Sequence, residues 1–506
     1  MQGFDERFAE HALGRFLLSN LRGAGQVLFA NNPVAGLLIL VALFIQSGWL
    51  LGMALLGLVA STLTSQLLGL DETARRNGLY GYNGLLIGAA FATFGVVSDA
   101  PLQPLSWGLF TLAFAALSTW LMAVVGPWWD RNLAAPLLTL PFALVTYLAI
   151  VILENVPQDL LVFSLDGRMD PAGAVGWTDL AWSNLSGFGE IFLVDQPFSG
   201  LLILLALLLY SPTGAAVGLL GGTIGSFIAS GFGAAPNAIA SGLWGYNAIL
   251  TAMALGGTFF APNKRSLALA VVSVVLTVLL TVWLRPLVSP MPILTLPFIV
   301  VTLGAYLFQR RSLPSLVPVS MQALASPEEH RLRYRAAQRV MTQFRAQLAA
   351  AAEGRSRLRL LTHSTVEERD ELHTIFDRLD RDRDGRLTHE ELLEVLRNTT
   401  PPASTDELLT LFRVFDLDSD GALGFDEFAE LALRHRRFVA DAEGFLTYLQ
   451  PTDTDGDRML SLDEMNRTLI SLGLEPLSPK ERQLIEGRVG AQPMSWNAFV
   501  TLLLLT

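Results

Sequence analysis

Two twelve-residue runs in the C-terminal third of the chain carry the oxygen ligands of a hard cation. Asp380, Asp382, Asp384 and Glu391 stand at positions 1, 3, 5 and 12 of the first, with Gly385 at position 6 and the carbonyl of Arg386 at position 7. Asp416, Asp418, Asp420, Gly421, the carbonyl of Ala422 and Glu427 repeat the order 36 residues later. Carboxylate and carbonyl oxygens at this spacing suit calcium, with magnesium as competitor, and the glycine permits the sharp turn that aims them at one centre. A third run supplies Asp453, Asp455, Asp457, the carbonyl of Met459 and Glu464, but Arg458 stands where the glycine would be. A side chain at a left-handed turn costs about 1 kcal/mol, so this third site is expected to be weaker. Far upstream, Glu190 lies between apolar Phe188 and Ile191. An ionisable residue in such company is functional by default.

The calcium loops need a helix on each side, and Phe376, Leu392, Phe412 and Phe428 are spaced to give those helices an apolar face. Leu387 and Leu423, at position 8, are placed to pair as the short strand between coupled loops. Loops and helices together make EF-hands. A fourth copy near 487–498 has no acidic ligand and keeps only Trp496 and Phe499, so its expected task is to pair with the third. Residues 364–506 carry a net charge of −14, and 326–363 a net of +5. The expected organisation is therefore a soluble all-α EF-hand domain over 364–506, preceded by a basic amphipathic linker helix over 326–363. Such a helix fits anionic lipid or the groove of a calcium-loaded EF pair, and calcium is expected to dock it onto the acidic domain.

Residues 1–325 read differently: they hold 12 Arg and Lys against 14 Asp and Glu in a long apolar stretch. They also repeat themselves. Pro33 and Tyr82 return 164 residues later as Pro197 and Tyr246, and Pro141 returns 156 residues later as Pro297. Apolar runs near 34–58, 80–97, 105–126 and 137–153 match runs near 199–220, 243–260, 266–284 and 293–309. Each is close to the ~20 residues a membrane helix requires. Between them lie paired interruptions at 23–29 and 187–194, around Gly81 and Gly245, and at 136–141 and 292–297. Irregular backbone at membrane depth survives only where it lines a cavity or is buried in protein, and paired interruptions in two halves point to a transport pathway.

The repeated segments Pro136-Leu-Leu-Thr-Leu-Pro-Phe142 and Pro292-Ile-Leu-Thr-Leu-Pro-Phe298 resemble the duplicated signature of urea transporters, with Ala135 and Met291 replacing its leading Leu. The stretches from Leu21 to Pro33 and from Gly78 to Gly84 are similar to that family too. The resemblance, to the bacterial type, covers about residues 15–310 and implies a concrete architecture. That is a polytopic membrane protein of two inverted repeats (about 15–155 and 180–310), ten transmembrane helices plus half-spanning segments, assembled as a homotrimer with one pore per protomer. The pore would be a slot between aromatic side chains with a ladder of oxygens. Carried over by position, Gln26 and Glu190 would be acceptors at the starts of half-helices, with Thr139 and Thr295 as the ladder. Tyr82 and Tyr246, with Leu86 and Leu250 after them, would line the slot. Phe29 follows Gln26 by three residues, but the residue three after Glu190 is Leu193. Phe192 would fill that fourth aromatic place if the backbone shifts.

What is absent narrows the function. Cysteine is missing, so disulfides, thiol catalysis and Cys-ligated zinc are excluded. No phosphate-cradling Gly-rich Lys-Ser/Thr loop is present, so ATP does not drive the membrane half. Intramembrane acids are too few for a proton relay, and the expectation is passive permeation, not enzyme chemistry. Met1 to Asn20 lacks an uninterrupted apolar core and reads as no cleavable signal. Arg7, Arg15, Arg22, Arg310 and Arg311 put both ends in the cytoplasm, at a bacterial inner membrane. Urea, lipid and calcium are the expected partners, with no nucleic acid. The alternatives are a pore of the same fold for another small neutral solute, such as a short amide or ammonia, and a membrane-anchored calcium sensor.

Overall fold

The computed structural model describes residues 11–96, 102–153, 156, 161–163, 176–313, 316, 318–319, 322–352, 359–362, 364–391, 416, 420–449, 459–489, 493–495, 499 and 503. The described chain is all-α apart from strand pairs of two or three residues, and divides into two compact units, Met1–Arg331 and Leu332–Thr506. Leu392, Phe412, Asp418, Asp453, Asp455, Asp457, Arg458 and Trp496 lie outside the described residues.

In the first unit the sequence repeat reappears as a repeat of helices. The first half runs α1 (Ala12–Gln26), α2 (Pro33–Gln46), α3 (Gly48–Leu67), α4 (Glu72–Arg76), α5 (Tyr82–Phe94), α6 (Gln103–Leu133) and α7 (Leu140–Leu153). The second runs α8 (Trp177–Glu190), α9 (Pro197–Tyr210), α10 (Pro212–Gly231), α11 (Pro236–Ala240), α12 (Tyr246–Met253), α13 (Lys264–Val288) and α14 (Leu296–Ser312). Four of these, α3, α6, α10 and α13, are long and apolar enough to cross a membrane, and α2, α5, α7, α9 and α14 are shorter apolar helices. Proline opens α2, α9 and α10, where its missing N–H and fixed φ cost nothing. The halves pack through α2 against α9, with Gln46 Nε2 donating to Asp195 Oδ1 at 3.0 Å.

Close helix approach depends on glycine at matched positions. Gly78 and Gly242 have φ of +75° and +85°, and a Cβ there would fall 2.2 and 2.3 Å from the backbone nitrogens of Gly23 and Gly187. The short helices α4 and α11 can reach α1 and α8 only without a side chain at that turn.

The second unit is built around α15 (Pro327–Ala352), within whose first turns the division between units falls. This helix comes from the basic stretch expected as a linker over 326–363. Its residues from Leu332 onward belong to the acidic unit's own packing, because Ala337, Met341, Phe344 and Leu348 recur on one helical face and are all buried. After it come α16 (Arg359–Thr362), α17 (Val366–Leu379), α18 (Phe425–Leu449), α19 (Leu462–Ser471) and α20 (Pro479–Val489). Phe344 packs edge-on to Phe499 with ring centroids 6.0 Å apart, and Tyr334 to Tyr448 at 5.7 Å. Arg345 Nη1 meets Glu481 Oε2 at 3.0 Å, and Arg339 pairs with Asp441. The connector thus lies against α18, α20 and the Phe499 region.

Candidate pore and calcium sites

Each half of the first unit ends its first helix in the same way. Leu28 N, Phe29 N and Ala30 N donate to the carbonyls of Gly25, Gln26 and Gly25, while Phe192 N, Leu193 N and Val194 N donate to those of Gly189, Glu190 and Gly189. Phe29 and Leu193 share a left-handed φ of 58° and 60°. Two expectations change. Gln26 and Glu190 sit at the C-terminal ends of α1 and α8, not at the starts of half-helices. The backbone also does not shift to bring Phe192 forward: Leu193 takes the place of Phe29, and Phe192 is fully buried like Leu28. A helix C-terminus favours donors, since its last carbonyls lie at the negative end of the dipole.

The signature segments are held by the Gly-Tyr-Asn motifs. Tyr82 Oη donates to Leu138 O at 2.6 Å, and Tyr246 Oη donates to Leu294 O. Leu138 and Leu294 are left-handed, with φ of 54° and 47°. Asn83 Oδ1 accepts from Phe142 N at 3.2 Å and Asn247 Oδ1 from Phe298 N at 3.4 Å, so each asparagine satisfies an amide in the first turn of the helix that follows. Pinned in this way, the next residues meet: Thr139 Oγ1 and Thr295 Oγ1 are 2.7 Å apart and buried.

A cavity of about 290 Å³ leads to that pair. Of the predicted pore residues it gathers Gln26, Phe29, Tyr82 and Thr139, with Thr295 reached through Thr139. Glu190, Tyr246, Leu86, Leu250 and Phe192 do not line it, and Leu86 and Leu250 are packed in the core. Three aromatic residues not singled out from the sequence, Tyr80, Phe259 and Phe298, do line it. Phe259 meets Phe29 edge-on at 5.5 Å, and Phe298 lies 6.3 Å from the same ring. Phe298 closes the repeated Thr-Leu-Pro-Phe motif and was within reach of sequence reasoning; Phe259 belongs to no motif. Gln322 and Ala323, from the segment after α14, complete one wall.

In the second unit, carboxylate oxygens of Asp380, Asp382 and Asp384 lie within 4.8 Å of one another. Gly385, with φ of +83°, donates its N–H to Asp380 Oδ2 at 2.9 Å. Glu391 closes the loop, Oε1 accepting from Arg381 N at 3.0 Å and Oε2 from Thr388 N at 2.9 Å. A backbone hydrogen bond from Asp384 pulls the Asp382 carboxyl down, but desolvation and the charges of Asp384 and Glu391 outweigh it and leave it above its ordinary value. A divalent cation relieves such crowding. The second loop repeats the cradle, with Gly421 N donating to Asp416 Oδ2 at 2.9 Å and Gly424 N to Glu427 Oε2 at 3.0 Å. Strands β1 (Arg386–Thr388) and β2 (Ala422–Gly424) pair with Leu387 opposite Leu423, as expected. Met459–Leu460 pairs with Met494–Ser495, within the stretches expected from the sequence as a third and a fourth hand. These residues fit calcium.

A family profile described as "Urea transporter" matches residues 17–310, and one described as "EF-hand domain pair" matches 369–433. The chain is 31% identical over 330 residues to Urea transporter 1 of Capra hircus, and 30% over 333 residues to Urea transporter 1 of Mus musculus. Each alignment covers 62% of this chain and 82% of the relative.

The protein is a multi-pass membrane channel or transporter with an EF-hand region, and not an enzyme. It belongs to the urea transporter family.

Proposed function

We propose that the chain conducts urea passively through a slot that runs from Gln26 past Phe29 and Tyr82 to the paired threonines, and on to Glu190 through the second half. The observation that carries this reading is the meeting of Thr139 and Thr295 at 2.7 Å beside an aromatic-walled cavity. Urea is planar and neutral, with four N–H donors and one acceptor. Stripped of water it loses several kcal/mol unless its polar groups find partners. Flat aromatic walls admit the planar molecule, and oxygens along one edge accept its N–H groups in turn. The oxygens of Gln26 and Glu190 at two helix C-termini serve as entry acceptors, and the threonine hydroxyls accept or donate at the middle. No charge transfer is needed, so flux follows the gradient.

The architecture this requires is ten transmembrane helices in two inverted repeats, assembled as a trimer, of bacterial type in the inner membrane, with both termini cytoplasmic. The pore domain extends over about 1–325. Calcium at Asp380–Glu391 and Asp416–Glu427, and more weakly at Asp453–Glu464, modulates flux by favouring one of two conformational states. The helix α15, which carries hydrogen-bonded residues of both units, is the covalent link for that coupling.

Urea flux into proteoliposomes, measured with calcium chelated and saturating on the cytoplasmic face, tests both parts. Saturable urea uptake without thiourea-sized leakage supports the pore, and a change between the two calcium conditions supports the coupling. Absence of urea uptake by a folded protein refutes the pore.

A further inference from the structure

The cavity at Gln26 is bounded by one segment that has no counterpart in the sequence repeat. After α14 the chain returns along the first unit. Val319 N donates to Phe259 O at 3.0 Å, and Phe260 bridges to Pro318. Residues 322–326 then cross beside α1. Ala323 is buried, and its carbonyl accepts from Gln26 Nε2 at 3.1 Å. The other Gln26 Nε2 partner is Asn77 O at 2.8 Å. The segment is tied at both ends. Asn31 Nδ2 donates to Leu324 O at 3.2 Å, and Glu328 Oε1 accepts from Thr213 N at 2.7 Å. It seats on the π-helical turn Ala254–Thr258, where a Cβ on Gly257 would lie 2.9 Å from Pro327 Cβ.

A side-chain amide whose two N–H bonds are both taken by fixed carbonyls has no freedom to flip. Its oxygen then points the other way. We propose that residues 322–326 are a strap that orients this mouth of the pore: the Ala323 carbonyl, with that of Asn77, holds the Gln26 amide so that Oε1 faces the cavity as the first acceptor for urea. Ala323 is a positioning residue, since it acts through Gln26. The matched residue of the second half, Glu190, is a carboxylate, which needs no such orientation because either oxygen accepts. A carboxylate at position 26 would instead face two carbonyl oxygens at hydrogen-bond distance, with no proton to place between them. The inference rests on the urea reading above, and deepens it by assigning an orienting group that lies outside the repeats.

The test is a double-variant cycle in the full-length protein, read as urea uptake into proteoliposomes. Asn31→Ala with Glu328→Ala removes both ties of the strap, the first also releasing the Asn77 side chain that Asn31 Nδ2 reaches at 2.9 Å, and Gln26→Glu removes the need for an oriented amide. In the tied strap, Gln26→Glu is expected to lower flux about tenfold, the size of one lost oriented hydrogen bond. In the freed strap the same change is expected to cost less than about threefold, and freeing the strap alone is expected to raise the half-saturating urea concentration. Equal losses in both backgrounds overturn the proposal. So does higher flux on freeing the strap at unchanged half-saturation, which would make the strap a plug. Where the double release does not fold, Glu328→Ala alone, which leaves the contact of Asn31 with Asn77 in place, carries the cycle with the same expected signs. A protein that takes up no urea in any background refutes the pore reading itself, a result distinct from equal losses.

Discussion

Thr139 and Thr295, 156 residues apart in the chain, bring their hydroxyl oxygens to 2.7 Å at the meeting point of the two halves of the membrane unit. Neither side chain reaches the other by local geometry. Each is carried there by a left-handed leucine, Leu138 or Leu294, whose carbonyl is held by the tyrosine of its own half.

That pair gives the first prediction. Thr139→Val with Thr295→Val keeps the volume and removes both hydroxyls, and urea flux is expected to fall at least about tenfold. Serine at both positions is expected to restore most of it. Wild-type flux in a folded valine double variant would remove the threonines from the pathway.

Gly78 and Gly242 give the second. Alanine at either has to occupy a positive φ and push against the backbone of Gly23 or Gly187 at 2.2 or 2.3 Å, and each substitution is expected to cost at least about 2 kcal/mol. Gly52→Ala is the control, because a Cβ there meets nothing within 4 Å. Thermal unfolding of the purified protein followed by tryptophan fluorescence should show large drops for the first two and none for the third.

The calcium loops give the third. Glu391→Gln with Glu427→Gln replaces one carboxylate oxygen at each closing position, where calcium expects a bidentate charge. Calorimetry on the full-length protein is expected to show at least two sites in the sensor range of about 10⁻⁷–10⁻⁵ M, and their loss in the double variant. Retention of both sites would show that the ligands lie elsewhere.

The anchor Glu328 gives the fourth, which concerns pH. Burial alone would raise its carboxyl, but hydrogen bonds from Ser211 and from the side chain and backbone of Thr213 outweigh it and hold the group below its ordinary value. A carboxyl lowered on folding contributes stability above its unfolded value and loses it as pH falls through the lowered one. Wild type is therefore expected to melt higher than Glu328→Gln at neutral pH, with the gap closing below about pH 4.3. A gap that widens in acid would contradict the anchor.

The sequence by itself determined whatever is local or repeated. Asp380–Glu391 and Asp416–Glu427 are legible because a calcium loop is made by twelve consecutive residues, and the pairing of Leu387 with Leu423 follows from equal loop positions. The paired motifs around Tyr82 and Tyr246 are legible because the same local geometry is written twice. Tertiary structure decided the rest, and for definable reasons. Leu193, not Phe192, matches Phe29 because both take a left-handed φ, and that conformation of a non-glycine residue leaves no mark in composition or spacing. The connector helix packs within the acidic unit because Ala337, Met341, Phe344 and Leu348 find partners there. An amphipathic face read from sequence says that something is covered, not what covers it. Phe259 and Ala323 reach the Gln26 cavity from positions that no motif marks, Ala323 lying beyond the repeats and 297 residues from Gln26. A contact of that separation is fixed by the packing of every element between, so it is written in no stretch of sequence short enough to read.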